Sequence, residues 1–184
     1  YYGETTRRVF RTVPGLGGLI VIFDCEGFHY CGYNTQGCPR CSRRKPEDIA
    51  AEWKWDGIRV QIAASAGRAR LFSRAGDDIS AAFPDAAEAF ATTDGVLDGE
   101  LLVLIGGEAQ PFNALQQRLN RKVVTAKMRE QYPAHIRLYD LLFDGLEDLR
   151  PLPFLERRSR LDAWFARAHP PRADVSELVA FESF

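Results

Sequence analysis

The sequence predicts an α+β fold in which antiparallel sheets carry polar residues on one face and are packed by helices on the other. Three observations predict it. After Pro46, short runs rich in β-branched, aromatic and aliphatic residues recur, two of them bounded by Asp-Gly turn signals. Helical spacing appears in separate stretches rather than in regular alternation with the strands. No internal repeat is apparent.

The elements follow in chain order. Ile49 to Trp53 and Ile58 to Ala64 are predicted strands around a tight Asp56-Gly57 turn, and Arg68 to Ser73 completes a three-stranded meander. Phe83 to Phe90 has helical spacing, with Ser80 as its candidate cap. Gly95 to Ile105 is an apolar strand interrupted by Asp98-Gly99-Glu100. Phe112 to Lys122 is a predicted helix, and His135 to Phe143 a buried strand closed by Asp144-Gly145. Pro153 to Arg167 is a helix whose apolar stripe is Leu155, Leu161, Trp164 and Phe165. Such a sheet is expected to leave a groove lined by strand residues.

Residues 1–45 differ in character. Gly, Tyr, Cys and Arg alternate there without a sustained period, broken by Pro14, the Gly17-Gly18 pair and Pro39, and no fold is predicted for them. This segment holds seven Lys/Arg against three acids, leaving 17 against 22 in the remainder, a net charge of −5. A mildly acidic body grips phosphates poorly by itself, so a nucleic-acid partner would need a local basic stripe or further domains. The longest apolar run, Gly15 to Phe23, falls far short of the roughly 20 residues that cross a bilayer, and no targeting signal flanks it. A cytoplasmic protein with no membrane association is expected. The chain starts at Tyr1 and stops within a strand-like run, VAFESF, so it is expected to be a piece of a longer protein.

All four cysteines, Cys25, Cys31, Cys38 and Cys41, lie in that first segment with spacing C-x5-C-x6-C-x2-C. The Cys38/Cys41 knuckle suits half of a tetrahedral zinc site, with His29 as a substitute ligand. The x5 gap is not that of a second knuckle, and free thiols are the alternative. A zinc-containing, noncatalytic nucleic-acid-binding module is the corresponding second reading of the chain.

The segment richest in chemistry is Glu52-Trp53-Lys54-Trp55-Asp56-Gly57-Ile58-Arg59. A lysine near the end of an apolar strand, before a glycine turn, is held rigidly where desolvation can favour its neutral amine, the form able to attack phosphorus. Taken alone, the pattern also fits a solvated strand lysine. It is not alone. EWKWDGIR resembles motif I (KxDGxR) of the covalent nucleotidyltransferases, the superfamily of DNA ligases, RNA ligases and mRNA capping enzymes. LFSRAG, LDGEL and LYDLL then resemble, in order, the segment whose arginine meets DNA phosphate, motif III and motif IIIa. SRAGDDIS, FPD and QQRLNRK resemble the DNA branch, and residues from about Pro46 to Phe184 are similar throughout to bacterial ATP-dependent DNA ligases.

The resemblance implies an ATP-grasp-like nucleotidyltransferase domain and a role for each matching residue. Lys54 is implied as the nucleophile that forms lysyl-AMP from ATP, splitting one displacement into two. Asp56 is implied to act at nick sealing. Glu52 would accept from the adenine amino group, Arg59 and Glu100 would hold the ribose hydroxyls, Tyr139 would stack on the base, and Arg74 would meet DNA phosphate. A solvated strand acid at Glu52, an exposed hairpin acid at Glu100, a core aromatic at Tyr139 and a salt-bridged strand residue at Arg74 are the structural alternatives. The implied partners are ATP, Mg2+ held by phosphate oxygens and water, and nicked duplex DNA, with the protein a monomer acting in repair, replication and recombination. No GxxxxGK[ST] loop is present, which favours nucleotidyl over γ-phosphoryl transfer. Motifs IV (EGxxxK) and V (KxK) and the following oligonucleotide-binding domain do not occur within the 184 residues, so the domain is expected to be truncated at its C-terminus and inactive alone.

Overall fold

The structure, a computed structural model, describes residues 16–23, 49–119, 121 and 123–179, with only the backbone path given for 16–23 and 49–51. Two sheets organise the chain. The larger has seven strands, with β3 (Ile58–Ser65), β4 (Arg68–Ser73), β5 (Gly95–Ile105) and β7 (Ala134–Asp144) ordered β4-β3-β5-β7-β8. The two-residue strands β6 (Glu108–Ala109) and β8 (Glu147–Asp148) extend β5 and β7, and β9 (Ala173–Val175) pairs with β7 in parallel. The smaller sheet is an antiparallel pair of β1 (Leu16–Phe23) and β2 (Ile49–Trp55).

The α+β expectation is met, with the parallel β9 its one departure from antiparallel pairing. The three-stranded meander is not formed. β3 and β4 make the predicted hairpin through Ala66-Gly67, both at positive φ, the backbone that a two-residue turn needs to match strand twist. β2 pairs instead with β1, in the segment for which no fold was predicted. The chain changes sheet at Gly57, which rests against the β5 backbone: a Cβ there would lie 2.5 Å from the Leu101 carbonyl oxygen. Only glycine permits that approach.

Alternation along the strands gives the large sheet two faces. Val60, Ile62, Leu71, Leu97, Leu101, Ile136 and Leu138 point to one side, into the core with Phe83, Phe90, Leu161 and Trp164. Each fully buried Leu, Ile or Phe contributes about 2 kcal/mol of transfer free energy. Arg59, Gln61, Glu100 and Arg137 point to the other.

Helices α1 (Pro84–Ala89) and α4 (Phe154–Ala168) pack on the core side, while α2 (Phe112–Gln116) and α3 (Ala126–Gln131) are single short segments. Ser80 does not cap α1. Pro84, whose fixed φ suits a first helical position, starts the helix after Phe83, and the Ser80 hydroxyl accepts from the Leu71 N–H at 2.9 Å. The helix predicted to run to Lys122 ends at Gln116 because Arg118 turns inward. Its guanidinium is fully buried, donating to the Ala82 and Tyr132 carbonyls at 3.1 and 2.8 Å and to both oxygens of Asp85. The buried stripe of α4 is Phe154, Arg158, Leu161 and Trp164, so Leu155 is a correction: it is exposed, and the paired Arg158 takes the inward position. None of the described helices is long and apolar enough to cross a membrane.

Candidate active site

The polar face of the large sheet collects three of the residues that the motifs singled out, Arg59, Glu100 and Tyr139. Antiparallel pairing sets Arg59 on β3 directly opposite Glu100 on β5, and Glu100 opposite Arg137 on β7. Glu100 is therefore a mid-strand residue, half-buried, and the hairpin alternative for it is overturned. Gly99 beside it is forced by the same packing, since a Cβ would stand 2.7 Å from the Arg137 carbonyl oxygen. Tyr139 reaches this face by alternation, two residues after Arg137, at the edge of a β-bulge. Asp98 pairs with Asp140 and Gly99 with Leu138, so the register steps past Tyr139. The bulge shifts the alternation of β7, taking Asp140 as well as Tyr139 off the core after Ala134, Ile136 and Leu138 and returning Leu141 to it.

Charge binds the group together. Arg59 donates to Asp98 through Nε at 3.2 Å and through Nη2, and its guanidinium lies 6.0 Å from the centre of the Tyr139 ring. Burial works against the Arg59 charge, but the bonds to Asp98 hold its proton more tightly than usual. Burial pushes the Asp98 carboxyl up, with Arg59 opposing. It pushes Glu100 up further, to about 7, against the Lys54 ammonium, a Gly57 N–H bond, Arg59 and a bond from the Tyr139 hydroxyl. The Tyr139 phenol is likewise pushed up by burial and by the acids Asp98 and Glu100. Lys54 and Glu100 are thus electrostatic neighbours across the two sheets. Lys54 itself is exposed near the end of β2, which corrects the expectation of a desolvated amine.

Glu52, two residues before Lys54 on β2, is buried. It is 3% exposed and accepts from Arg158 Nη1 of α4 at 2.8 Å, which overturns a solvated strand acid. Burial raises its carboxyl to about 7, with Arg158 lowering it and Asp140 raising it. On the other side of Lys54, the Trp55 ring is covered by the Arg137 guanidinium at 4.0 Å, and Arg137 is anchored on Asp174 at 2.8 and 2.7 Å. Asp56 is exposed on the turn between β2 and β3. Arg74 is exposed on a turn ordered by Ser73, whose hydroxyl accepts from the Ala75 and Asp77 N–H groups, both at 3.3 Å. The ion pair there, at 3.6 Å to Asp78, belongs to Arg70.

Asp98, Arg137 and Arg158 were not singled out from the sequence. Asp98 had a signal, because alternation places it on the face of Glu100, whereas Arg137 and Arg158 have none beyond their types. Cys25, Cys31, Cys38, Cys41 and His29 lie outside the described residues. Among the described residues no three His, Cys, Asp or Glu form a group able to hold a metal ion.

Comparison with known proteins decides the family, since residues 36–183 match the ATP dependent DNA ligase domain. The chain belongs to that family. This ligase-domain chain is 37% identical over 142 residues to a probable DNA ligase of Anaeromyxobacter sp. (strain Fw109-5), covering 74% of this chain and 27% of the relative. It is 40% identical over 116 residues to a DNA ligase of Pyrobaculum calidifontis, covering 60% and 20%. Among solved structures it is similar to the ligase domain of M. tuberculosis LigD, with TM-score 0.55 and 31% identity over 72% of this chain and 41% of that one. It is also similar to mycobacterial DNA ligase D complexed with ATP and MES, with TM-score 0.53 and 30% identity over 71% and 40%. The chain spans about a quarter of the length of the curated relatives it matches, 27% and 23% for two of them.

Proposed function

We propose that this chain is the nucleoside-recognising part of the adenylation domain of an ATP-dependent DNA ligase. The observation that carries the reading is the assembly of Glu100, Arg59 and Tyr139 on one polar face, with Lys54 of the neighbouring sheet close to Glu100, from three motifs far apart in sequence. In this reading the Lys54 amine, having given up a proton, attacks the α-phosphate of ATP; the N–P bond forms, the bond to pyrophosphate breaks, and pyrophosphate leaves. AMP then passes to the 5′-phosphate of a DNA nick, and Asp56 assists the attack of the 3′-hydroxyl that expels AMP.

The donor set suits a nucleoside. Arg59 and Glu100 offer a donor and an acceptor to ribose hydroxyls, which serve as both, and the Tyr139 ring is a surface for the base. Glu52 keeps one carboxylate oxygen beyond the one Arg158 engages, an acceptor for the adenine amino group. Mg2+ would be held mainly by phosphate oxygens and water and would neutralise charge on the phosphates as pyrophosphate departs. Arg74, exposed on its turn, is the phosphate contact to nicked duplex DNA. A cytoplasmic monomer serving repair, replication and recombination completes the proposal.

The test uses the chain extended through motifs IV and V. Incubated with Mg2+ and ATP labelled at the α-phosphate, it is expected to form an acid-labile adduct that is lost in Lys54→Ala. Labelling that survives the substitution removes Lys54 as nucleophile.

A further inference from the structure

Glu52 sits in a cage of charge that the motif alone does not explain. Arg158 projects inward from the middle of α4, 7% exposed, and all three guanidinium nitrogens are engaged: Nη1 with Glu52 Oε1 at 2.8 Å, Nη2 with the Ser176 carbonyl, and Nε with Asp162 Oδ1 at 3.2 Å. Its partners therefore lie on β2, on the segment after β9 and on its own helix, which fixes the guanidinium in place. The other groups facing Glu52 come from β7. Asp140 repels its charge while being held bidentately by Arg157, and the Tyr139 phenol feels its field. Arg158 is the cation paired with Glu52, against burial and Asp140, which both favour the neutral acid.

The protonation state of this carboxyl decides which purine it can meet. An ionised carboxylate only accepts hydrogen bonds, whereas a protonated one also donates. A 6-amino purine presents a donor and a 6-oxo purine an acceptor. We infer that Arg158 is a specificity-determining positioning residue, which holds Glu52 as an acceptor so that the site takes a 6-amino purine and refuses a 6-oxo purine. This rests on the proposed contact between Glu52 and the base. Without Arg158, burial and Asp140 leave the neutral acid favoured, its hydroxyl matches a 6-oxo group, and the preference collapses. A guanidinium that merely stabilised the fold would weaken both nucleotides alike.

Calorimetric titration of the 184-residue chain with ATP and with inosine triphosphate reads the preference directly. At about pH 8 the unaltered chain is expected to bind ATP at least about tenfold more tightly, the cost of one mismatched buried hydrogen-bonding group. Arg158→Met is expected to bring the ratio within about threefold, and Arg158→Lys, which keeps the cation, to retain most of it. In the unaltered chain the ratio is expected to fall as the pH is lowered from about 8 to about 6, through the Glu52 titration near 7. A full ratio in a folded Arg158→Met overturns the inference. Should that variant lack a cooperative unfolding transition, a ratio in the unaltered chain that does not change with pH overturns it instead. Glu52→Gln separates the two levels: an unchanged ratio there, or no ATP binding by the unaltered chain, removes the underlying reading as well.

Discussion

Glu100→Gln offers a direct measure of what the polar face costs the fold. The Glu100 carboxyl titrates at about 7 in the folded chain against an ordinary 4.5, chiefly because burial disfavours its charge. The folded state thus holds this proton more tightly than the unfolded chain. The resulting stabilisation is fully present below 4.5 and is lost as the pH rises through about 7. At about 1.4 kcal/mol per tenfold change in affinity, the full displacement is worth up to ~3.4 kcal/mol. Glu100 is only half-buried, and solvent screening brings the expected figure to about 2 kcal/mol. Glutamine has nearly the same shape and keeps an acceptor for the Gly57 N–H and the Tyr139 hydroxyl, but it does not titrate. Urea unfolding followed by tryptophan fluorescence, at about pH 5 and about pH 8, is the assay. The variant is expected to gain about 2 kcal/mol on the unaltered chain between the two pH values, the gain appearing at the alkaline one. Identical pH dependence in both proteins, or a gain at the acid end, refutes the reasoning. The gain should be accompanied by weaker ATP binding if the carboxylate is kept for a ribose hydroxyl.

Three further outcomes follow from particular contacts. Gly57→Ala places a Cβ 2.5 Å from the Leu101 carbonyl oxygen, and a loss of about 1–3 kcal/mol on urea unfolding is expected, with reduced Lys54 labelling in the extended chain because the strand end shifts. Arg118→Met leaves Asp85 charged and buried, a loss of about 3–5 kcal/mol by the same assay, and much of it is expected to return when Asp85 is made Leu as well. Arg74→Ala is expected to weaken binding of nicked duplex equally across sequences and to reduce the logarithmic salt slope by about 0.9, with ATP binding unchanged.

The strands were legible because their signals are local. Alternation over Ile58 to Ala64 and the apolar run from Gly95 to Ile105 depend on neighbours in sequence, and both strands form there. The short ordered motifs likewise placed Arg59, Glu100 and Tyr139 on one face without any knowledge of the sheet order. What was not legible depends on long-range partners. The pairing of β2 with β1 joins residues more than a few turns of chain apart, in a segment with no periodicity of its own. The early end of α2 and the inward turn of α4 are set by Arg118 and Arg158, whose burial is intelligible only once Asp85 and Glu52 are known to face them. Arginine on a helix pattern reads as solvated surface, and no local rule distinguishes these two from Arg160 or Arg167.

Those arginines bear on the proposed chemistry because the residues assigned to it are divided between sheets. Lys54 is carried by the two-stranded sheet, while Arg59, Glu100 and Tyr139 belong to the seven-stranded one. Phosphoryl chemistry tolerates little misplacement, since an error near 1 Å can cost on the order of a hundredfold in rate. The single covalent link at Asp56-Gly57 cannot by itself fix the approach of β2, but the residues on either side of Lys54 are each gripped from the main body. Arg158 holds Glu52 from α4 and Arg137 covers Trp55 from β7. Both arginines also reach the segment from 174 to 176, through Asp174 and the Ser176 carbonyl, and Glu52 itself bridges to Leu178 in the backbone. The stretch following α4 therefore acts as a shared strut for the strand that carries Lys54. A planar guanidinium suits this role better than lysine or an apolar side chain. It can stack on a ring with one face while its edge holds a carboxylate in fixed geometry, and so it transmits position as well as charge.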